Sequence, residues 1–303
     1  MAREILIVGA RGRVGREVLR ALSSSSTSVR ALVRRPSARN ESLGVREVVG
    51  DLGDRASLDR ALDGVESAFF VTPHDEREQQ LGECFIDAAA AAGVRRIVFA
   101  SAYHPSPTSS IGFALFVGVA SLFTHYGPKL RVERRVRLAK TSPVVLMPSN
   151  FYQNDELYRP EILAGQYPQP LGVRGASRVD CADIGDAAAR ALTDESVDAG
   201  AYPLVGPDPA LTGPACAAVW AAALGHEVAY TGDLRRWPAL IGERMHPRER
   251  ADFGKTYKIF SRMRVPAKPR DVERATALLG RTPRAYATYV AERARAWTRP
   301  DPA

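Results

Sequence analysis

The chain opens on a short apolar run, Glu4–Val8, that stops at Gly9-Ala10-Arg11-Gly12-Arg13-Val14-Gly15 and passes into apolar residues at helical spacing, Val14, Val18, Leu19 and Leu22. A G-x-x-G-x-x-G pattern alone says little. Between a buried strand and a helix it constrains the chain strongly. Gly9 permits the tight turn, Gly12 lets the backbone approach a pyrophosphate, and Gly15 lets the helix close on the sheet. The helix start then presents N–H groups to an anion. A strand fed into a helix in this way begins a βαβ unit, so parallel strands and crossover helices must follow.

The rest of the chain supplies them. Short apolar runs predict strands at 29–33, 45–49, 68–72, 96–101, 144–147 and 201–205. Helical patterns at 57–62, 79–92, 132–138 and 183–192 lie between them, with Pro128 suited to open the third. Near-continuous apolar strands imply a parallel sheet covered on both faces. The fold class is therefore α/β, a Rossmann-type doubly wound parallel sheet. After Val205 the rhythm turns mostly helical. Thr212 and Gly225 bracket an Ala-rich helix, 226–230 suggests a short strand, and 233–245, 247–263, 271–279 and 283–297 read as helices. Residues 150–177, rich in Pro, Gly and Tyr, join this smaller lobe. The expected division is 1–149 plus 178–206 for a nucleotide-binding domain, and 150–177 plus 207–303 for a mostly helical substrate lobe.

Composition narrows the function classes. Three widely spaced cysteines without a C-x-x-C pair exclude a disulfide framework and a cysteine zinc site, and make a reducing cytoplasm the simplest compartment. The net charge is +8, but only five of the 42 basic residues are Lys, and no basic arm is visible. That balance fits anionic small ligands rather than nucleic acid. The run Ile111–Thr124 has 14 residues, short of the ~18 needed to span a bilayer, so no membrane partner is expected. The five histidines show no H-x-x-x-H or H-E-x-x-H spacing, and no G-x-S-x-G elbow occurs. A monomer or homodimer acting on a small molecule is expected.

The end of the second strand selects the nucleotide. NAD sites place an acidic residue there. This chain has Arg34 and Arg35, 19 and 20 residues after Gly15, and Arg11 inside the loop can reach the same place. Two arginine–phosphate contacts at ~1.5–3 kcal/mol each would favour NADP(H) by about a hundredfold or more. Asp51 and Leu52 follow the third strand as adenine contacts, and Thr72 and Pro73 close the fourth beside the nicotinamide ribose.

The chain resembles the NmrA-like atypical short-chain dehydrogenase/reductases. The matching residues are Gly9 to Gly15, Arg30 to Arg34, Gly50-Asp51-Leu52, Ala92 to Val98 and Pro148-Ser149-Asn150-Phe151-Tyr152-Gln153-Asn154. Val179-Asp180, Asp183-Ile184-Gly185, Asp271 to Arg274 and Gly280 to Pro283 continue the match. The resemblance implies a Rossmann fold binding NAD(P)H. Carried onto this sequence, it puts Arg13 and Val14 of the loop, Asn150 and Phe151 among the cofactor-binding residues. The wider superfamily uses Ser, Tyr and Lys, the last two as Y-x-x-x-K. Ser101 ends the fifth strand and Lys129 opens the next helix, where it would hold the nicotinamide ribose. Four before Lys129 stands His125; Tyr126 is three before it. Either His125 pairs with Lys129, or Tyr126 is a displaced tyrosine, or the proton comes from substrate or water. Phe113, Phe116 and Phe123, with Phe151, Tyr152, Tyr158, Trp237, Tyr257 and Phe260, would suit a large aromatic or polycyclic substrate if they line a pocket; the same spacing serves a buried core or a subunit contact. The expected function is an NADPH-dependent reductase of a carbonyl, quinone or enone. The alternative is a catalytically silent NADP(H)-binding regulator, since the family contains both.

Overall fold

The computed structural model describes residues 4–25, 27–36, 45–104, 110–123 and 126–299. They fall into two compact units. The first runs through Pro148 and adds Cys181–Leu204 and Ala277–Gly280; the second holds Ser149–Asp180, Val205–Thr276 and Arg281 onward.

With elements numbered along the chain, the first unit contains β1 (Glu4–Val8), α1 (Arg13–Leu22), β2 (Ser28–Val33), β3 (Arg46–Val49), α2 (Arg55–Leu62), β4 (Ser67–Val71) and α3 (Glu78–Ala91). β5 (Arg96–Ala100), α4 (Ser110–Phe123), α5 (Gly127–Arg137), β6 (Ser142–Pro148), α7 (Cys181–Thr193) and β10 (Gly200–Leu204) complete it. Seven strands form one sheet in the order β10-β6-β5-β4-β1-β2-β3. Every pair is parallel, with Ile7 opposite both Ala31 and Phe69. β1 lies inside the sheet between β4 and β2, and the order reverses beside it, which is the doubly wound topology.

Alternation along each strand assigns the two faces. Leu6, Val8, Leu32, Phe70, Ile97, Phe99, Val145 and Met147 share one core with Leu58 and Leu62 of α2, Phe85 and Ile86 of α3, and Val132 and Val136 of α5. Phe70 and Phe85 stack at 4.5 Å within it. On the other face Ile5, Ile7, Ala31, Phe69 and Val98 are buried, as are Val18 and Leu19 of α1 and Ile184, Ala187 and Ala188 of α7. Cover on both sides is why these strands read as unbroken apolar runs. The 14-residue apolar stretch forms α4 through Phe123. Phe113 and Val117 pack against Leu130 of α5, whereas Ile111, Leu115 and Val119 are exposed.

The second unit contains β7 (Asn150–Phe151), a 3-10 turn (Tyr152–Tyr158), α6 (Arg159–Leu163), β8 (Gln166–Tyr167), β9 (Arg178–Val179), α8 (Gly213–Leu224), β11 (Ala229–Tyr230), α9 (Trp237–Ile241), α10 (Pro247–Arg262) and α12 (Tyr286–Thr298). α11 (Pro269–Leu279) carries the boundary at Thr276. Thr212 caps α8 by accepting the Ala215 N–H at 3.1 Å, and Gly225 ends it in the left-handed region. The continuous helix expected over 233–245 is instead α9 followed by a single 3-10 turn, Gly242–Arg244. Gly242 at φ +43 breaks the helical path.

Five of the aromatic residues expected to line a substrate pocket belong to the core of the second unit. Tyr152, Tyr158, Trp237 and Tyr257 are fully or almost fully buried, and Phe260 nearly so. They surround an ion pair with no exposed surface. The Arg178 guanidinium donates to Asp155 Oδ1 at 2.8 Å, and Tyr286 and Trp220 donate to Asp155 Oδ2 at 2.5 and 3.0 Å. Aromatic side chains sit here because a buried carboxylate needs donors, and Tyr and Trp supply them on apolar bodies. None of the described helices is long and apolar enough to cross a membrane.

Candidate nucleotide site and reaction centre

The turn after β1 is built by steric necessity. Gly9 has φ +84, and a Cβ there would lie 2.4 Å from Val71 Cγ1 of the neighbouring strand. A Cβ on Gly15 would lie 2.1 Å from the Gly9 carbonyl oxygen. The Gly12 N–H donates to Gly9 O at 2.9 Å, closing the turn. Gly12 is the N-cap of α1 and has no capping side chain, and the first turn of α1 has no acidic residue. Its first N–H groups have no intrahelical acceptor by construction. Val14 is buried beneath the turn. The result is an electropositive backbone cradle that a phosphate fits.

Arginines flank the cradle. Arg34 and Arg35 are exposed in the bend after β2. Arg11 crosses to that bend, donating to the Arg35 carbonyl and, at 3.3 Å, to Glu47 Oε1 on β3. Arg13, at the start of α1, is half-buried. The Asp51 carboxylate accepts the Gly53 N–H at 2.7 Å and so shapes the turn leading to α2. Leu52 packs against the sheet core, and Pro73 accepts the Asp75 N–H at 3.0 Å.

β4 and β5 end side by side, Val71 opposite Ala100, so Thr72 and Ser101 leave the sheet as neighbours. Two residues one turn apart on α5 reach these strand ends. The Lys129 ammonium donates to Thr72 Oγ1 and pairs with Glu78 Oε1 at 2.8 Å. Thr72 donates its own proton to the same Glu78 oxygen at 2.5 Å. One turn on, Glu133 accepts the Ser101 hydroxyl at 2.5 Å and a His104 Nε2–H at 3.0 Å. Arg137 donates to Glu133 Oε1 at 2.6 Å. A carboxylate can only accept, which places a His104 proton on Nε2. His104 stacks at 5.1 Å on Phe116 of α4.

Glu133 has no exposed side-chain surface. Burial works to raise its pKa, but the His104 hydrogen bond and charge, the Arg137 charge and the Ser101 hydrogen bond outweigh it. The carboxyl is held below the usual 4.5. Tyr126, the N-cap of α5, is half-buried against the small apolar cluster of Phe113, Val117 and Leu130. His125 lies outside the described residues. Asn150 and Phe151 belong to the second unit, where the Asn150 side chain and the Phe151 carbonyl accept from Arg178 at 3.2 and 2.8 Å.

A comparison with known proteins bears on this arrangement. The sequence matches the NmrA-like family over residues 1–238. The chain belongs to the NmrA-like family. It is 32% identical over 229 residues to the NAD(P)H azoreductase of Xenophilus azovorans, covering 75% of this chain and 76% of that protein. It is 30% identical over 309 residues to the (4-alkanoyl-5-oxo-2,5-dihydrofuran-3-yl)methyl phosphate reductase of Streptomyces griseus, covering 97% and 99%. The triphenylmethane reductase of Citrobacter sp., solved with NADP(H), shares the fold at TM-score 0.79 and 18% identity, over 96% and 99% of the two chains.

In this NmrA-like chain the structure adds Glu47, Glu78, His104 and Glu133 to the residues picked out by sequence. One signal for them was available: Lys129, Glu133 and Arg137 follow at i, i+4, i+8, so they share one face of α5. His104 and Glu47 carry no comparable mark, because their partners are 29 and 36 residues away.

Proposed function

We propose that this oxidoreductase passes hydride from NADPH to a small conjugated acceptor, a quinone, enone, carbonyl or azo compound, without a side-chain phenol as proton donor. Gly9, Gly12 and Gly15 would hold the pyrophosphate, since the turn they close leads into an α1 start with neither a capping side chain nor an acidic residue in its first turn. Arg34 and Arg11 would hold the 2′-phosphate. Arg13, Val14, Asp51, Leu52, Thr72, Pro73, Asn150 and Phe151 complete the proposed cofactor set, and the second unit would supply the substrate lobe. Bound NADPH supplies two electrons and one proton as hydride.

The observation that carries this reading is the Lys129 ammonium. Among the described residues it spends two donors, on Thr72 and Glu78. An ammonium has three. The third serves a ribose hydroxyl at the strand ends, while Glu78 and Thr72 fix the geometry. Tyr126 packs against the apolar cluster with α4, and among the described residues the partners of Lys129 are Thr72 and Glu78 rather than a phenol. The second proton then comes from water or the acceptor's own hydroxyl. That suits acceptors whose reduced form is a stabilised anion, such as a hydroquinone. The azo group and the oxo-dihydrofuran in the names of the two relatives are conjugated acceptors of this kind.

Single-turnover oxidation of NADPH, followed by absorbance over a panel of quinones, enones, azo dyes and aromatic ketones, tests the proposal. Quinones and azo dyes should be reduced faster than unactivated ketones. Tight NADPH binding with no oxidation by any acceptor would reject it and favour the silent regulator.

A further inference from the structure

The cofactor reading leaves Glu47 unexplained. It pairs with Ala31 in register, so it shares a sheet face with Ala31 and Ile7, the face that α1 covers. Its neighbour Arg46 pairs with Glu4 instead. A charge on an edge strand is ordinary. This one is not solvated like an ordinary edge charge: the Glu47 side chain is 10% exposed, and its carboxylate holds Arg11 at 3.3 Å. Arg11 stands between two glycines of the cradle and is clamped at its other contact by the carbonyl of Arg35. One carboxylate thus holds the loop arginine at the bend after β2, where Arg34 and Arg35 supply the remaining positive charge.

We propose that Glu47 sets the preference between NADPH and NADH by competing with the adenosine 2′-phosphate for the Arg11 guanidinium. This rests on the reading that the cradle binds NADP(H). A phosphate that takes Arg11 must share it with a carboxylate or displace it, and the two anions repel at close range. A nucleotide with a plain 2′-hydroxyl meets neither cost. Glu47 therefore lowers affinity for the phosphorylated cofactor selectively and narrows the gap that Arg34 and Arg11 would otherwise open. The site keeps access to both cofactors through one acidic side chain on the third strand.

Calorimetric titration of wild type, Glu47→Gln, Arg11→Ala and the double variant decides it, using NADPH, NADH and the fragments 2′,5′-ADP and 5′-AMP. Glu47→Gln keeps the size of the side chain and removes its charge. NADPH and 2′,5′-ADP should bind it about threefold to fivefold more tightly, the upper range of a partly exposed ion pair, while NADH and 5′-AMP stay within twofold. In the Arg11→Ala background the gain should vanish. Equal shifts for phosphorylated and unphosphorylated ligands, or a gain that survives Arg11→Ala, would overturn the proposal while leaving the cofactor reading intact. Failure of wild type to bind any of the four would overturn both. Circular dichroism checks that each variant is folded. Should Glu47→Gln not fold, Glu47→Thr, a good strand former, carries the same expectation.

Discussion

Lys129 and Glu133 show how two residues on one helix face take different roles at the site. Lys129 is held by Glu78 and Thr72 and retains a donor, so its removal should strike the nucleotide and leave Ser101 in place. Lys129→Ala is expected to weaken NADPH binding or turnover by about tenfold to a hundredfold, the loss of one or two charge-assisted hydrogen bonds. Tyr126→Phe and His125→Ala should each cost about tenfold or less, against the 10²–10⁴-fold usual for a general acid. Single-turnover rates with cofactor saturating separate the cases, and a thousandfold loss in either variant would make that residue the acid. Glu133 carries a pH signature. Its folded pKa lies below the usual 4.5. The stability it contributes is therefore present above the unfolded value and is lost as pH falls through the folded one. Glu133→Gln should be less stable than wild type by roughly 1.5–3 kcal/mol at neutral pH, because Ser101, His104 and Arg137 lose a charged acceptor. Urea unfolding from pH 7 down to 3 should show that gap closing in acid; a constant gap would mean the carboxylate is not ionised in the folded state.

At the scale of elements, the strand–turn–helix start was legible because its constraints are local. A buried strand, a glycine with positive φ and a helix whose backbone touches the turn each leave a mark within fifteen residues. Gly15→Val should show how firmly: its side chain would meet the Gly9 carbonyl and the Ala10 backbone, which cannot move without opening the turn. NADPH affinity should fall by at least about a hundredfold, the loss of more than one phosphate contact. Far-ultraviolet circular dichroism should keep its α/β shape. The contacts of Glu133 with Ser101 and His104 were not legible, since they join segments about thirty residues apart through β5, α4 and the start of α5. The aromatic residues show a second limit. Composition and spacing are the same whether Tyr152, Tyr257 and Trp237 line a pocket or fill a core. What decided it was the buried Asp155–Arg178 pair, whose carboxylate takes its donors from Tyr167, Trp220 and Tyr286 in the same cluster, and neither charged residue announces its burial in sequence.

Among the described residues, the packed parallel sheet belongs to the first unit and the cluster around the Arg178–Asp155 pair to the second, so each can be perturbed by itself. The cradle lies in the first. A ligand that binds only the folded form stabilises it by about 2.7 kcal/mol at a hundred times its Kd. For a unit of this size that is a rise in Tm of roughly 5–10 °C. NADPH should therefore protect the backbone amides of β1, the glycine turn and α1 from hydrogen exchange and raise the Tm of that unit. Asp155→Asn acts on the second core. It strips the Arg178 guanidinium of its countercharge inside a dry aromatic cluster, and breaking such a pair costs roughly 3–5 kcal/mol. Exchange should accelerate in β8, α8 and α12, where Tyr167, Trp220 and Tyr286 are left with one amide oxygen in place of two carboxylate oxygens. Protection of the glycine turn by saturating NADPH should survive the substitution, because the cradle and Asp155 belong to different units. Mass-spectrometric exchange on wild type and Asp155→Asn, each with and without NADPH, reads both effects at once. Loss of protection at the turn in the variant, with the sheet otherwise intact, would show that the two cores are not independent and that the second one helps shape the nucleotide site.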